Sequence, residues 1–272
     1  MPTTRVNGID LHYKRGGQEN GGTVVFINGL TMDTTAWRDA AHHLEDTYRT
    51  VRYDCRGQGE SEKPEGPYTP QQHKEDLLAL LAALELEEVH LVGLSNGGII
   101  ASLVAAELGA ARVKTLAVVD SFSQMDAVMR SILRGWKAAT LAGGSGLRFD
   151  VATPWVWGHT FMNQHANEIS SYRDKAAQAD AAVIGYLIDG LASFKSSLEE
   201  VSRYDGPLLA VVGEEDILTP KRYSEETVKA AKRGKLTVLE RAGHAAPIER
   251  PKEVAELLRD FLAQPDAVLG VS

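Results

Sequence analysis

The chain has 272 residues, of which 43% are hydrophobic, 24% charged and 7% aromatic. A chain this long can bury roughly three quarters of its unfolded surface, in one large domain or two small ones, which excludes a disordered chain or a disulfide-dependent miniature. Its 29 basic and 37 acidic residues leave a net charge of −8, which argues against nucleic acid as a partner because phosphate binding needs a basic face.

The first residues, MPTTRVNGIDLHYKRGG, lack the apolar core of a signal peptide. No run approaches the about 18 apolar residues of a membrane span. The expectation is a soluble, cytoplasmic protein with no membrane partner; a secreted protein stripped of its leader is the alternative. The single cysteine, Cys55, allows neither an internal disulfide nor a cysteine zinc site.

Thr3 to Arg15 alternates polar and apolar residues around Asn7-Gly8 and reads as a hairpin. Thr23–Asn28 (TVVFIN) is a buried strand closed by Gly29. Thr34–Asp46 reads as a helix with Trp37, Ala41 and Leu44 on one face. A second buried strand, Thr50–Asp54, runs into the glycine-rich loop Arg56-Gly57-Gln58-Gly59. Pro70 opens a strong amphipathic helix within Thr69–Leu86. Val89–Leu94 is a strand, Asn96–Leu108 an apolar helix and Lys114–Asp120 another strand. Short apolar strands alternating with helices predict a mostly parallel sheet covered on both faces.

The rhythm then changes. Residues 121–198 hold no convincing buried strand but carry helices near Met125–Leu141 and Glu168–Ala182 and three of the four tryptophans, Trp136, Trp155 and Trp157. This stretch is expected to be a helical insertion in a core made of residues 1–120 and 199–272. Strand Leu208–Gly213, a helix near Pro220–Lys232, strand Lys235–Leu239 and the amphipathic helix Pro251–Ala263 complete the core, and the tail after Pro265 is expected to fray.

Gly93-Leu94-Ser95-Asn96-Gly97 fits G-x-S-x-G and sits between a strand and a helix. That context is what gives the pattern meaning. A sharp strand-to-helix turn lifts the serine oxygen out of the sheet edge, and the helix N-terminus offers free N–H groups to negative charge there. A serine hydroxyl needs a base to take its proton. Of the eight histidines, His42, His43 and His73 read as exposed on helices, His12 and His90 lie on strands, and His159 and His165 lie in the insertion. His244 follows the last strand immediately, where open α/β sheets place their chemistry. The base needs an acid to fix its tautomer. Asp216, beyond strand Leu208–Gly213, is the first candidate and Asp120, ending the preceding strand, is its rival.

The order Ser95, Asp216, His244 resembles the nucleophile, acid and base of the α/β-hydrolase family. Asp54 to Ser61 resembles that family's D-x-R-G-x-G-x-S loop, GEEDILTP (213–220) its acid loop, and Gly243-His244 with Glu249 and Pro251 its G-H-x4-E-x-P segment. The resemblance covers nearly the whole chain. It implies the α/β-hydrolase fold, with the insertion as a cap, no cofactor and no metal. It also implies an oxyanion hole from the backbone amides of Asn96 and Leu30. Within the family, TVRYDCRGQGESEKPEGPYTP and Asn28-Gly29-Leu30 resemble the 3-oxoadipate enol-lactonase group. Asn28 stands where His is usual and is expected to hold its loop by hydrogen bonds.

The resulting expectation is a serine hydrolase acting on a small-molecule ester or lactone through an acyl-enzyme, under a cap whose Trp136, Trp155 and Trp157 line the substrate pocket. Alternatives on the same machinery are a carbon–carbon bond hydrolase, a cofactor-free perhydrolase and a prolyl iminopeptidase with Glu168 as its amine-gripping group. A hydrolase-fold ligand receptor with little turnover is the alternative of another class. An acidic lactone would need a cation in the cap; Arg130, Arg134, Lys137 and Arg148 are all near enough in sequence, which does not choose among them, nor does it specify the oligomeric state.

Overall fold

A computed structural model describes residues 2–270. Its eight strands form one sheet in the order β1-β2-β4-β3-β5-β6-β7-β8. β1 (Thr3–Val6) and β2 (Ile9–Gly17) are the expected hairpin, closed where Asn7 and Gly8 both take positive φ. β2 pairs antiparallel with β4 (Arg49–Tyr53). β3 (Thr23–Ile27), β5 (Val89–Leu94), β6 (Val113–Val119), β7 (Leu208–Gly213) and β8 (Gly234–Leu239) join β4 in a parallel array.

Both faces of that array are covered, which is why its strands are apolar runs rather than alternating ones. Side chains still alternate between two layers. In β3, Val24 and Phe26 pack with α1 (Arg38–His42) on one face; Val25 and Ile27 pack with α2 (Pro70–Ala83) and α3 (Asn96–Arg112) on the other. Pro70 stands at the start of α2, where its missing N–H costs nothing, and the Thr69 side chain accepts from Gln72 N.

The expected helix over 34–46 is shorter in the structure. Asp54 accepts from Thr34 N at 2.6 Å and Asp33 from Thr35 N at 2.8 Å, so these side chains take the backbone donors of that segment. The apolar face is as expected: Trp37, Ala41 and Leu44 are fully buried.

Between β6 and the next core helix the chain leaves the sheet and forms α4 (Ala127–Val156), α5 (His159–Gln164), α6 (Ala166–Ala176) and α7 (Ala181–Ala192). The first helical stretch of α4 ends near the expected Leu141, where Gly143 (φ −151°, ψ 21°) and Gly144 (φ 71°, ψ −168°) leave helical geometry, and a second stretch runs on to Val156. The second expected helix divides into α6 and α7, because Asp180 caps a new start at Ala182 N. α4 and α7 pack through Met129, Leu133, Trp136, Ile184, Leu187 and Leu191.

The chain then re-enters the core through α8 (Leu198–Arg203), α9 (Lys221–Ala230), α10 (Ala246–Glu249) and α11 (Pro251–Ala263), the last packed on the α1 face. Up to Gly270 the tail after Pro265 is helical rather than frayed; Val271 and Ser272 lie outside the described residues. The tail forms α12 (Pro265–Leu269), tied to β8 by a 2.6 Å bond from Lys235 Nζ to Val268 O. No helix among the described residues is long and apolar enough to cross a membrane.

Candidate active site

Ser95 occupies the turn from β5 into α3, at φ 54° and ψ −120°. A non-glycine residue held there stores about 1–3 kcal/mol of strain, so the surroundings must impose it. They do. A Cβ on Gly93 would lie 2.2 Å from Gly97 O, and one on Gly97 would lie 2.3 Å from Ile27 O. Both flanking glycines are therefore demanded by backbone packed on backbone. Ser95 N donates to Val119 O at 2.9 Å, and the Ser121 hydroxyl donates to Ser95 O at 2.7 Å.

The β7 and β8 ends bring Asp216 and His244 together. His244 Nδ1 lies 3.0 Å from Asp216 Oδ2, and both residues are almost wholly buried. Asp216 is in turn fixed: Oδ1 accepts from Leu218 N (2.8 Å) and Thr219 N (2.9 Å), and the Thr219 hydroxyl donates to Oδ2 at 2.7 Å. Burial opposes charge on this carboxyl, yet His244 and the Thr219 donors together hold it below the usual carboxylate range. With Nδ1 donating to Asp216, the imidazole keeps Nε2 as an acceptor.

Asp120, the rival acid, is also fully buried but is engaged elsewhere. Its oxygens accept from Gly213 N (2.8 Å) and Ala246 N (3.2 Å). Burial first, and then the neighbouring Asp216 charge, push its carboxyl well above the ordinary value. Of the two acids, it is Asp216 that bonds His244.

Ser95 and His244 line one cavity of about 720 Å³. No hydrogen bond joins them in this arrangement; nucleophile–base bonds are often long in unliganded sites and tighten with substrate. Leu30, beyond β3, lines the same cavity, and Asn96 opens α3. Neither backbone amide donates to another group among the described residues. One of these donors thus follows the serine directly in the chain and the other belongs to a residue bordering the cavity that Ser95 lines.

Residues 24–257 match the alpha/beta hydrolase family. The chain belongs to that family. Among its relatives, 3-oxoadipate enol-lactonase 1 of Acinetobacter baylyi is 28% identical over 264 residues, covering 95% of each chain. A non-heme chloroperoxidase of Kitasatospora aureofaciens is 26% identical over 274 residues, covering 96% of this chain and 97% of the other. Among solved structures, the enol-lactonase from Burkholderia xenovorans LB400 superposes with a TM-score of 0.89 at 25% identity, covering 96% of this chain and all of that one.

Around the serine, this alpha/beta hydrolase is braced by its 54–61 loop. Asp54 accepts from Thr34 N and from Glu60 N (2.9 Å), while a Cβ on Gly59 would strike its carboxyl at 2.2 Å. Arg56 makes a buried two-pronged pair with Asp76, at 2.8 and 2.6 Å. Asn28 donates to Tyr53 O at 2.8 Å, the loop-holding role expected of it. Burial raises the Cys55 thiol to about 12, leaving it unreactive beside the site.

The loop carrying His244 is pressed against the insertion. His244 N donates to Val156 O at 2.9 Å. Glu249 accepts from Gly243 N (2.8 Å) and from Gly158 N (3.2 Å), bridging the two segments. A Cβ on Gly243 would lie 2.1 Å from Gly158 N, so the two backbones touch. Glu215 adds a bond to Thr160 N at 2.8 Å.

Two of the three tryptophans stand where expected. Trp136 and Trp157 line the cavity, whereas Trp155 packs half-buried against the α4–α7 cluster, because its place on α4 turns it away from the opening. His73 is not exposed: it sits buried in α2 against the edge of Tyr68, and burial lowers it to about 4. Glu168 is engaged by His165 at 2.8 Å and does not line the cavity. The Thr219 hydroxyl was missed by sequence reasoning. Its only signal is a threonine three residues after the acid, a spacing that also serves ordinary turns.

Proposed function

We propose that the protein is a serine hydrolase that opens a carboxylic ester or lactone. The observation carrying this reading is the buried Asp216–His244 pair beside a cavity shared with Ser95 on its strained turn. Ser95 Oγ attacks the carbonyl carbon while His244 Nε2 takes the hydroxyl proton, and Asp216 steadies the imidazolium through Nδ1–H. The Leu30 and Asn96 amides receive the oxyanion; each such donor is worth about 3–4 kcal/mol in the transition state. The leaving alkoxide takes the proton back from Nε2, giving an acyl-enzyme. A water deprotonated by His244 then releases the acid and frees Ser95. In a lactone the alcohol stays tethered to the acyl group.

The insert 121–198 serves as the cap that closes an apolar pocket over the substrate, with Trp136 and Trp157 in its wall. The enol-lactonase relatives support the lactone side of this reading. The chloroperoxidase relative favours perhydrolysis as a second reading, in which peroxide replaces water at the acyl-enzyme.

The test is covalent labelling with a fluorophosphonate, mapped by mass spectrometry, together with ester turnover. The expected adduct is on Ser95, and Ser95→Ala abolishes turnover. An adduct elsewhere, or undiminished hydrolysis by Ser95→Ala, overturns the assignment. Ligand-dependent melting shifts with no turnover in the intact protein would point to a receptor.

A further inference from the structure

Two arginines in this protein are more than nine-tenths buried, Arg56 and Arg148. They could hardly be treated more differently. Arg56 has its two-pronged pair with Asp76. Arg148, on the second half of α4, has no carboxylate within 4.0 Å and no hydrogen bond to any described residue, and its Nε is buried without a partner. Burial alone acts on it, lowering it to about 10, so it remains a cation at neutral pH.

An unpaired buried cation is costly, and a wall position that needed only bulk would be filled by leucine or methionine at no such cost. The side chain lines the same cavity as Ser95 and His244. The insertion also gives this lining apolar side chains, Met129, Leu133, Ala152, Val183 and Leu187 among them. Trp136 Nε1, on the same wall, is a second donor without an acceptor. The buried lining atoms of the insertion that lack a partner, Arg148 Nε and Trp136 Nε1, are both donors, so the missing partner is an acceptor, and for the guanidinium one of negative charge.

The other cations of the insertion are accounted for. Arg130 donates to Ala192 O and Phe194 O, at 2.8 and 3.2 Å. Lys137 holds Asp189 at 2.6 Å, and Arg134 and Lys195 are exposed. Lys175 holds Asp33 at 2.6 Å and Arg173 holds Asp150 at 3.1 Å.

We propose that Arg148 is a carboxylate-binding residue, and that the natural substrates are esters or lactones carrying a carboxylate on the part of the molecule that enters the cap. The planar guanidinium offers paired N–H donors to the two oxygens of a carboxylate, and apolar walls strengthen that attraction by excluding water. The substrate class follows: monoesters or lactones derived from dicarboxylic acids, whose second acid group is ionised. The proposal rests on the hydrolase reading above for its chemistry, but not for its binding.

The experiment has two arms. In the first, kcat/KM is measured for mono-4-nitrophenyl glutarate and for 4-nitrophenyl butyrate, which differ chiefly in the terminal carboxylate. The native protein should prefer the glutarate ester. Arg148→Met should lower the glutarate-to-butyrate ratio by about 30-fold or more, the scale of losing one partner of a desolvated charge pair, and Arg148→Lys should restore part of it. A ratio unchanged by Arg148→Met overturns the proposal. In the second arm, glutarate is titrated into Ser95→Ala protein, with melting temperature as the readout. Glutarate should stabilise Ser95→Ala, and the shift should vanish in Ser95→Ala/Arg148→Met. Equal shifts in both, or none in either, count against Arg148 whether or not Ser95 is the nucleophile. Hydrolysis that survives in Ser95→Ala, with glutarate binding still dependent on Arg148, would sink the hydrolase reading alone.

Discussion

Replacing Asp216 by asparagine removes one charge and almost no volume, yet it should disable the proposed base. The flip of the new amide is dictated by its neighbours. At the Oδ1 site two backbone donors arrive, Leu218 N at 2.8 Å and Thr219 N at 2.9 Å, so the amide oxygen must stay there. The amide nitrogen then takes the Oδ2 position, 3.0 Å from His244 Nδ1, and donates to it. His244 becomes an acceptor at Nδ1, its proton moves to Nε2, and Nε2 can no longer take a proton from Ser95. Restoring the working tautomer sets two donors against each other in a dry site, at about 2–3 kcal/mol. Losing the carboxylate opposite a forming imidazolium removes about 2–3 kcal/mol more. The sum, about 5 kcal/mol, corresponds to a fall in kcat/KM of roughly 10³–10⁴. The assay is 4-nitrophenyl butyrate hydrolysis at pH 7–9, with melting temperature as the check on folding. A fall of less than about tenfold in a folded variant would refute the reasoning and leave Asp120→Asn as the next variant to make.

Gly97→Ala should destabilise the protein by about 3 kcal/mol or more in denaturant titrations, because the new methyl would meet the carbonyl of Ile27 at 2.3 Å and neither backbone can yield. Asp76→Asn should cost about 3–5 kcal/mol by the same measurement, since it strands the buried Arg56 guanidinium. His73 is held neutral by burial, at about 4 against an unfolded value near 6.5, so the unfolded chain binds the extra proton. Its contribution is full above pH 6.5, shrinks as the pH falls and is gone near pH 4, a loss of about 3 kcal/mol. His73→Leu should therefore flatten the decline in stability between pH 6.5 and 4; an unaltered decline would show that His73 does not cause it.

Much of this architecture is written locally. β3, β5 and β7 are short apolar runs that serve only as strands buried on both sides, and Pro70 and Pro251 mark helix starts where the structure has them. Ser95 was legible because its two flanking glycines report the backbone crowding around that turn. What was not legible depended on neighbours distant in sequence. Asp120 and Asp216 end adjacent strands, and only the turn through 213–216 decides which carboxyl reaches His244. The helix expected over 34–46 begins only at Arg38, with the Thr34 N–H taken by Asp54 from the next strand's end and the Thr35 N–H by Asp33. Trp155 and the cap arginines share a helical insertion with their better-placed neighbours, and composition does not say which side of α4 faces the cavity.

The seam between the insertion and the His244 loop has a consequence for how such a protein can change over generations. Val156, Gly158 and Thr160 are bonded to His244, Glu249 and Glu215, and the seam leaves no room for a side chain at Gly158 or Gly243. A substitution there re-aims His244 as well as reshaping the wall, so the two effects cannot be selected apart. α6 is under no such obligation: none of its residues is buried, and Lys175 ties it to Asp33 through a partly exposed ion pair worth little more than about 1 kcal/mol. On the proposed hydrolase reading, new substrate preferences can accumulate along α6 and leave Ser95 and His244 where they are, while the 156–160 seam stays fixed by its contacts with the His244 loop.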